Sequence, residues 1–131
     1  HEPHTAAEKA RGLTEAPSGM VGLETALALT LTKLYHEGYL TLEEIAAKMS
    51  MNPAKVLGQK WSGLTPGGRA DLVFFQLDET WTIQPETFRS KGRNTPFGGM
   101  EVQGRNAYTI AGGKIIYRRD EDRKDGNNDV L

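Results

Sequence analysis

The feature that most constrains this chain is a change of apolar period partway along it. From residue 20 to residue 58 the apolar residues recur at helical spacing. From Leu64 onward they come in short β-prone runs between turns, and most of the glycines lie in that second part. A sequence that switches period in this way folds as helices followed by a sheet, not as a repeat array or a single long helix. No internal repeat is present.

Met20, Leu23, Leu27, Leu31 and Leu34 form the first helical stripe, widened by Ala26 and Leu29, so this helix is expected to be covered on more than one side. Gly38 is its expected stop. Thr41-Leu42-Glu43-Glu44 fits a capping box and opens a second helix, with Ile45, Ala46 and Met49 on its apolar face. Asn52-Pro53 reads as an N-cap followed by proline at the first helical position, opening a short helix Ala54–Leu57 that ends at Gly58. Leu64-Thr65-Pro66-Gly67-Gly68 is turn chemistry. Leu72–Phe75 and Trp81–Ile83 are expected as two separate strands. Tyr108–Ile110 and Lys114–Tyr117 flank Ala111-Gly112-Gly113 and predict a hairpin. From Asp120 to Asp129 the chain is charged without an apolar anchor, the pattern of a disordered tail.

Composition removes several function classes. At 131 residues the chain suits one domain with a real core. The net charge of −1 gives no global case for nucleic acid or an anionic membrane. No apolar run approaches the roughly 18 residues a membrane span needs. Cysteine is absent, so disulfides, thiolate metal sites and cysteine nucleophiles are excluded within the chain, and a reducing, cytoplasmic setting fits.

Three segments carry chemistry. His1-Glu2-Pro3-His4 places an imidazole behind a stiffening proline. His4 reads either as a surface histidine or as a group that binds an anion; protonated, it donates from both ring nitrogens. A metal pair of His1 and His4 lacks a nearby third ligand. Ala16-Pro17-Ser18-Gly19-Met20-Val21-Gly22-Leu23-Glu24 reads as a loop entering the first helix, with Ser18 or a neighbour as cap. The same geometry would offer free N–H groups to an anionic or amide ligand, with Gly19 and Gly22 allowing close approach. Ser90-Lys91-Gly92-Arg93-Asn94-Thr95-Pro96-Phe97 is a basic loop, a solvated turn by default; a phosphate site there would have no helix behind it.

In this order, His-x-Pro-His, Ala-Pro-Ser-Gly-x-x-Gly-Leu-Glu and Thr-Phe-x-Ser-Lys-x-x-Asn-Thr-Pro-Phe resemble the C-terminal part of bacterial-type dihydroorotases, in the amidohydrolase superfamily. Asn52-Pro53-Ala54 and Gly68-Arg69-Ala70-Asp71-Leu72-Val73 match broader superfamily features. The resemblance runs from His1 to about Tyr117. It implies an α/β fold: residues 1–63 as the C-terminal end of a (β/α)8 barrel, residues 64–118 as strands of a small composite β-sandwich, and 119–131 as a tail. It implies a cytoplasmic, metal-dependent cyclic amidohydrolase that interconverts N-carbamoyl-aspartate and dihydroorotate in pyrimidine biosynthesis. Zinc or another divalent metal would be held elsewhere in the full-length enzyme and none by this chain, because the family's aspartate would directly precede His1. No residue here would then be catalytic. His4 would contact the substrate carboxylate, and Ser18 and Gly19 would offer backbone groups to the ring, with Pro17 shaping the loop. The expected partners are the small-molecule substrate, the upstream part of the same enzyme and either a second copy or a carbamoyltransferase, with no nucleic acid and no membrane. The piece alone is expected to be inactive. Two other readings stand beside this one: a non-catalytic scaffold of a carbamoyltransferase complex, and a hydantoinase-like hydrolase.

Overall fold

The computed structural model describes residues 4–60 and 63–119, so His1 and the tail from Asp120 lie outside the described residues. The first element is a single helical turn, α1 (Ala6–Lys9). Thr5 and Glu8 close a capping box around it: the Glu8 N–H donates to Thr5 Oγ1 at 3.2 Å, and the Thr5 N–H donates to Glu8 Oε2 at 2.7 Å.

The next helix starts later than the apolar stripe suggests. α2 (Ala26–Thr30) runs directly into a π-helical turn, Leu31–Tyr35. Gly22 supplies the first carbonyl, accepting from the N–H groups of Thr25 and Ala26 at 3.2 and 2.9 Å. The Val21 N–H instead donates to the distant Asn94 carbonyl at 2.9 Å, which holds the chain before Gly22 out of the helix. Met20 and Leu23 therefore leave the stripe, and Leu23 is 96% exposed, whereas Leu31 is fully buried. Gly38 ends the helix as expected. At φ +78° it accepts a backbone twist that other residues resist. Its N–H reaches the Tyr35 carbonyl and the Tyr39 N–H reaches Leu34, both pairings of a Schellman motif.

The capping box at Thr41 is present and opens α3 (Leu42–Ala46). The expected break at Asn52-Pro53 is not. Asn52 has helical φ and ψ of −68° and −44°, and the helix passes through a π turn, Ala47–Met51, into α4 (Asn52–Val56). Proline lacks the N–H that an α-helix would use and its ring crowds the preceding turn. The wider turn before Pro53, with the Asn52 N–H bonded to the Ala47 carbonyl, lets the helix continue.

The sheet is three-stranded and antiparallel in the order β1-β2-β3. β1 (Leu72–Thr82) unites the two strands expected separately, β2 spans Glu101–Ala111, and β3 spans Lys114–Arg118. The polar stretch between Gln76 and Thr80 looks like a break, but it is a bulge in one strand: Gln76 pairs with Arg105 and Thr80 with Gln103, leaving three residues opposite Gly104. Long-range contacts hold the bulge. Glu79 pairs with Arg105 at 3.5 Å and Arg119 at 2.7 Å, and a His36 ring nitrogen meets the Leu77 carbonyl at 3.2 Å. Gly112 and Gly113 both have positive φ, 55° and 79°, and make the expected two-residue hairpin turn. Arg119, at the start of the expected tail, still pairs with the sheet through the Ala107 carbonyl.

Gly104 is where helix meets sheet. A Cβ there, at φ +90°, would stand 2.4 Å from Leu31 Cδ1. Thr32 beside it accepts from the Gln103 N–H at 2.8 Å. Val21 and Ala28 from the first part of the chain share one core cluster with Ile83, Phe88 and Val102 from the second.

Candidate functional site

Two of the segments singled out in the sequence, 16–24 and 90–97, meet at one loop, and α1 joins them through Lys9. Lys9, the last residue of α1, reaches back with its ammonium to the carbonyls of Pro17 at 2.5 Å and Gly19 at 2.6 Å. From the other side, Asn94 Nδ2 donates to the same Gly19 carbonyl at 2.8 Å, and the Asn94 carbonyl accepts from the Val21 N–H at 2.9 Å. Further along, Glu24 takes the N–H groups of Arg89 and Ser90, one on each carboxylate oxygen and both at 2.9 Å. Gly92 is buried against Val21, whose Cγ2 lies 2.9 Å from where a Cβ would be.

This arrangement revises two readings. Residues 16–24 form the expected loop, but α2 begins only at Ala26, with Thr25 at its N-cap position, so Ser18 does not cap it. The loop keeps its shape instead through Gly19, whose φ of +98° suits glycine, and through bonds to Lys9 and Asn94. The basic loop is neither a phosphate cradle nor a plain solvated turn. Arg93 turns its guanidinium onto the carbonyls of Ser90 and Gly92 within its own loop, and Asn94 and the Arg89–Ser90 amides clamp the 19–24 segment.

Ser18 and Gly19 lie exposed, and among the described residues no protein acceptor takes the N–H of either. The Gly19 carbonyl, by contrast, is fully used by its two donors, so the backbone group this residue can offer a ligand is its N–H. His4 is half-buried at the mouth of α1. Among the described residues it makes no hydrogen bond, and none joins it to Ser18 or Gly19. Its segment reaches the loop through Lys9. The bonds from the Thr5 N–H and hydroxyl hold the Glu8 carboxyl below its ordinary value. Sequence reasoning missed Lys9, Glu24 and Asn94 as members of this cluster. The Thr5-x-x-Glu8 capping box was the legible signal that a turn would carry Lys9; the pairings of Asn94 and Glu24 left no local trace.

Among the described residues there is no group of three or more His, Asp or Glu that could hold a metal ion, and no helix long and apolar enough to cross a membrane.

Residues 12–116 match the amidohydrolase family, and the chain belongs to it. Within that family it is similar to dihydroorotases. The dihydroorotase of Clostridium acetobutylicum is 47% identical over 117 residues, 89% of this chain and 28% of that protein. That of Lactococcus lactis is 48% identical over 118 residues, 90% of this chain and again 28% of the relative. The chain thus spans little more than a quarter of the length of the curated relatives it matches. Among solved structures, an L-hydantoinase (dihydropyrimidinase) from Arthrobacter aurescens superposes with a TM-score of 0.74 at 35% identity, covering 79% of this chain and 24% of that one.

Proposed function

We propose that this chain is the substrate-binding C-terminal part of a dihydroorotase, a metal-dependent cyclic amidohydrolase that interconverts N-carbamoyl-aspartate and dihydroorotate. Residues 1–63 would close the C-terminal end of a (β/α)8 barrel, residues 64–118 would be strands of a composite β-sandwich, and the remainder a tail. Sites in such barrels lie where strands end and loops begin, and the 16–24 loop stands just before the first long helix.

The observation that supports the reading is the meeting of two of the motif segments, 16–24 and 90–97, at Gly19 through Asn94, with Lys9 of α1 joining them there. The N–H groups of Ser18 and Gly19 would donate to polar groups of the substrate ring, and His4 would donate to its carboxylate. The described residues are a poor donor set for a catalytic metal, since the His36 ring nitrogen is already engaged with the Leu77 carbonyl. The divalent metal, zinc in this proposal, is assigned to parts of the enzyme outside this chain. These residues would bind and orient the cyclic amide, which contributes by lowering the entropy cost of reaching the reactive geometry.

The higher identity to dihydroorotases than to the hydantoinase favours a dihydroorotate site over a hydantoin site. The test is ring opening by the full-length protein, in a cytoplasmic setting, with dihydroorotate and a hydantoin as rival substrates. Preference for hydantoin, or no turnover of either in a metal-loaded protein bound to a carbamoyltransferase, would overturn the proposal in favour of the hydantoinase or the scaffold reading.

A further inference from the structure

We infer that Lys9 and Asn94 are positioning residues for the candidate site, and that the donors they aim are the N–H groups of Ser18 and Met20. The inference rests on the functional reading above and adds residues it does not name. A trans peptide is planar, with its C=O and N–H pointing in opposite directions, and no cis peptide interrupts this loop. The Pro17 carbonyl shares its peptide with the Ser18 N–H, and the Gly19 carbonyl shares its peptide with the Met20 N–H. Both carbonyls point at one ammonium, Lys9 Nζ, at 2.5 and 2.6 Å. The two N–H groups must therefore point away from Lys9, on the other face of the loop. Asn94 fixes the second of these peptides independently, donating to the Gly19 carbonyl at 2.8 Å. Among the described residues neither N–H has a protein acceptor, and Met20 is 42% exposed. An ammonium on a carbonyl also polarises its amide and strengthens the N–H as a donor. The pair of amides thus suits a carboxylate or a cyclic imide carbonyl, and Lys9 acts on the ligand through the backbone rather than by touching it.

The test uses the full-length protein with Lys9→Ala, Lys9→Arg and Asn94→Ala. Two readouts are taken: kinetics with dihydroorotate, and the backbone order of Met20 from 15N relaxation without substrate. Lys9→Ala should raise KM roughly 10-fold, the loss of one charged hydrogen bond's worth of aim, with kcat within about 3-fold of wild type. Lys9→Arg, which keeps a cationic donor, should recover most of that loss. The Met20 order parameter should fall from the rigid range near 0.85 to below about 0.6. Asn94→Ala removes the second donor from a different element and should shift both readouts the same way, so it tests the inference even if Lys9→Ala does not fold. Unchanged KM and unchanged Met20 order, or a loss confined to kcat, overturns the inference. If the loop loosens in both variants but the wild-type protein does not turn over dihydroorotate, the positioning role stands and the functional reading falls.

Discussion

Gly104→Ala should be among the most damaging single-methyl changes in this chain. Two separate penalties add there. The backbone sits at φ +90°, and holding a residue with a Cβ in such a region costs on the order of 1–3 kcal/mol. The new Cβ would also stand 2.4 Å from Leu31 Cδ1 and 3.3 Å from Leu31 Cβ. Leu31 is fully buried and cannot swing away, so overpacking adds about 1–3 kcal/mol. The sum is roughly 2–6 kcal/mol. The assay is equilibrium urea unfolding of the full-length protein, followed by near-ultraviolet circular dichroism. At a slope of about 1–3 kcal/mol/M the midpoint should fall by roughly 0.7 M or more. Leu31→Ala separates the two penalties. It costs about 2–5 kcal/mol by itself, but it removes the 2.4 Å contact at Cδ1 and leaves only the 3.3 Å approach of Cβ. In that background Gly104→Ala should cost little beyond the backbone part. If the two changes add within about 0.5 kcal/mol, the close approach of helix and strand is not the cause and the reasoning fails.

His4→Ala in the full-length enzyme should lower kcat/KM by about 10- to 150-fold, the effect of losing one charged hydrogen bond to the substrate. Metal content measured by atomic absorption should stay at the wild-type level, and a metal-free variant would show that His4 has been given the wrong role. Glu8 supplies a pH test. Its carboxyl lies below the ordinary value of 4.5 because Thr5 donates to it from both backbone and hydroxyl. A depressed carboxyl stabilises the fold above its unfolded pKa, and that contribution is lost as pH falls through the folded value. The turn α1 should therefore fray on acidification. Thr5→Ala removes the hydroxyl and keeps the N–H, so it should move the Glu8 midpoint part of the way upward in a carbon-detected NMR titration, and a midpoint that does not move would remove the Thr5 hydroxyl as a contributor. Thr41→Ala deletes the other capping box and should destabilise by about 1 kcal/mol, read as a lower melting temperature; no change would mean that α3 is held by its packing alone.

Much of the local structure was legible in single segments. Thr41-x-x-Glu44 closes its own capping box. Gly38 and the Gly112-Gly113 pair stand where a positive φ is needed. Each rests on bonds between residues a few positions apart, so the local pattern holds the necessary information. The order of the motif segments was legible in the same way.

Other features required partners far along the chain. The polar stretch from Gln76 to Thr80 looks like a loop until Arg105, Arg119 and His36 meet it from other elements. Met20 and Leu23 fit a helical stripe, but the Asn94 carbonyl takes the Val21 N–H and keeps that stretch unwound. Gly104 carries no mark in its own segment, and its lack of a side chain matters only because Leu31 lies against it. The sequence by itself determined the helix stops, the hairpin turn and the order of the motifs. The tertiary structure alone decided where α2 begins, that β1 is a single strand, and which groups hold the 17–20 loop. The division follows from range: a local pattern records hydrogen bonds made within a turn, whereas bonds that join residues about 70 positions apart exist only once the chain has brought them together.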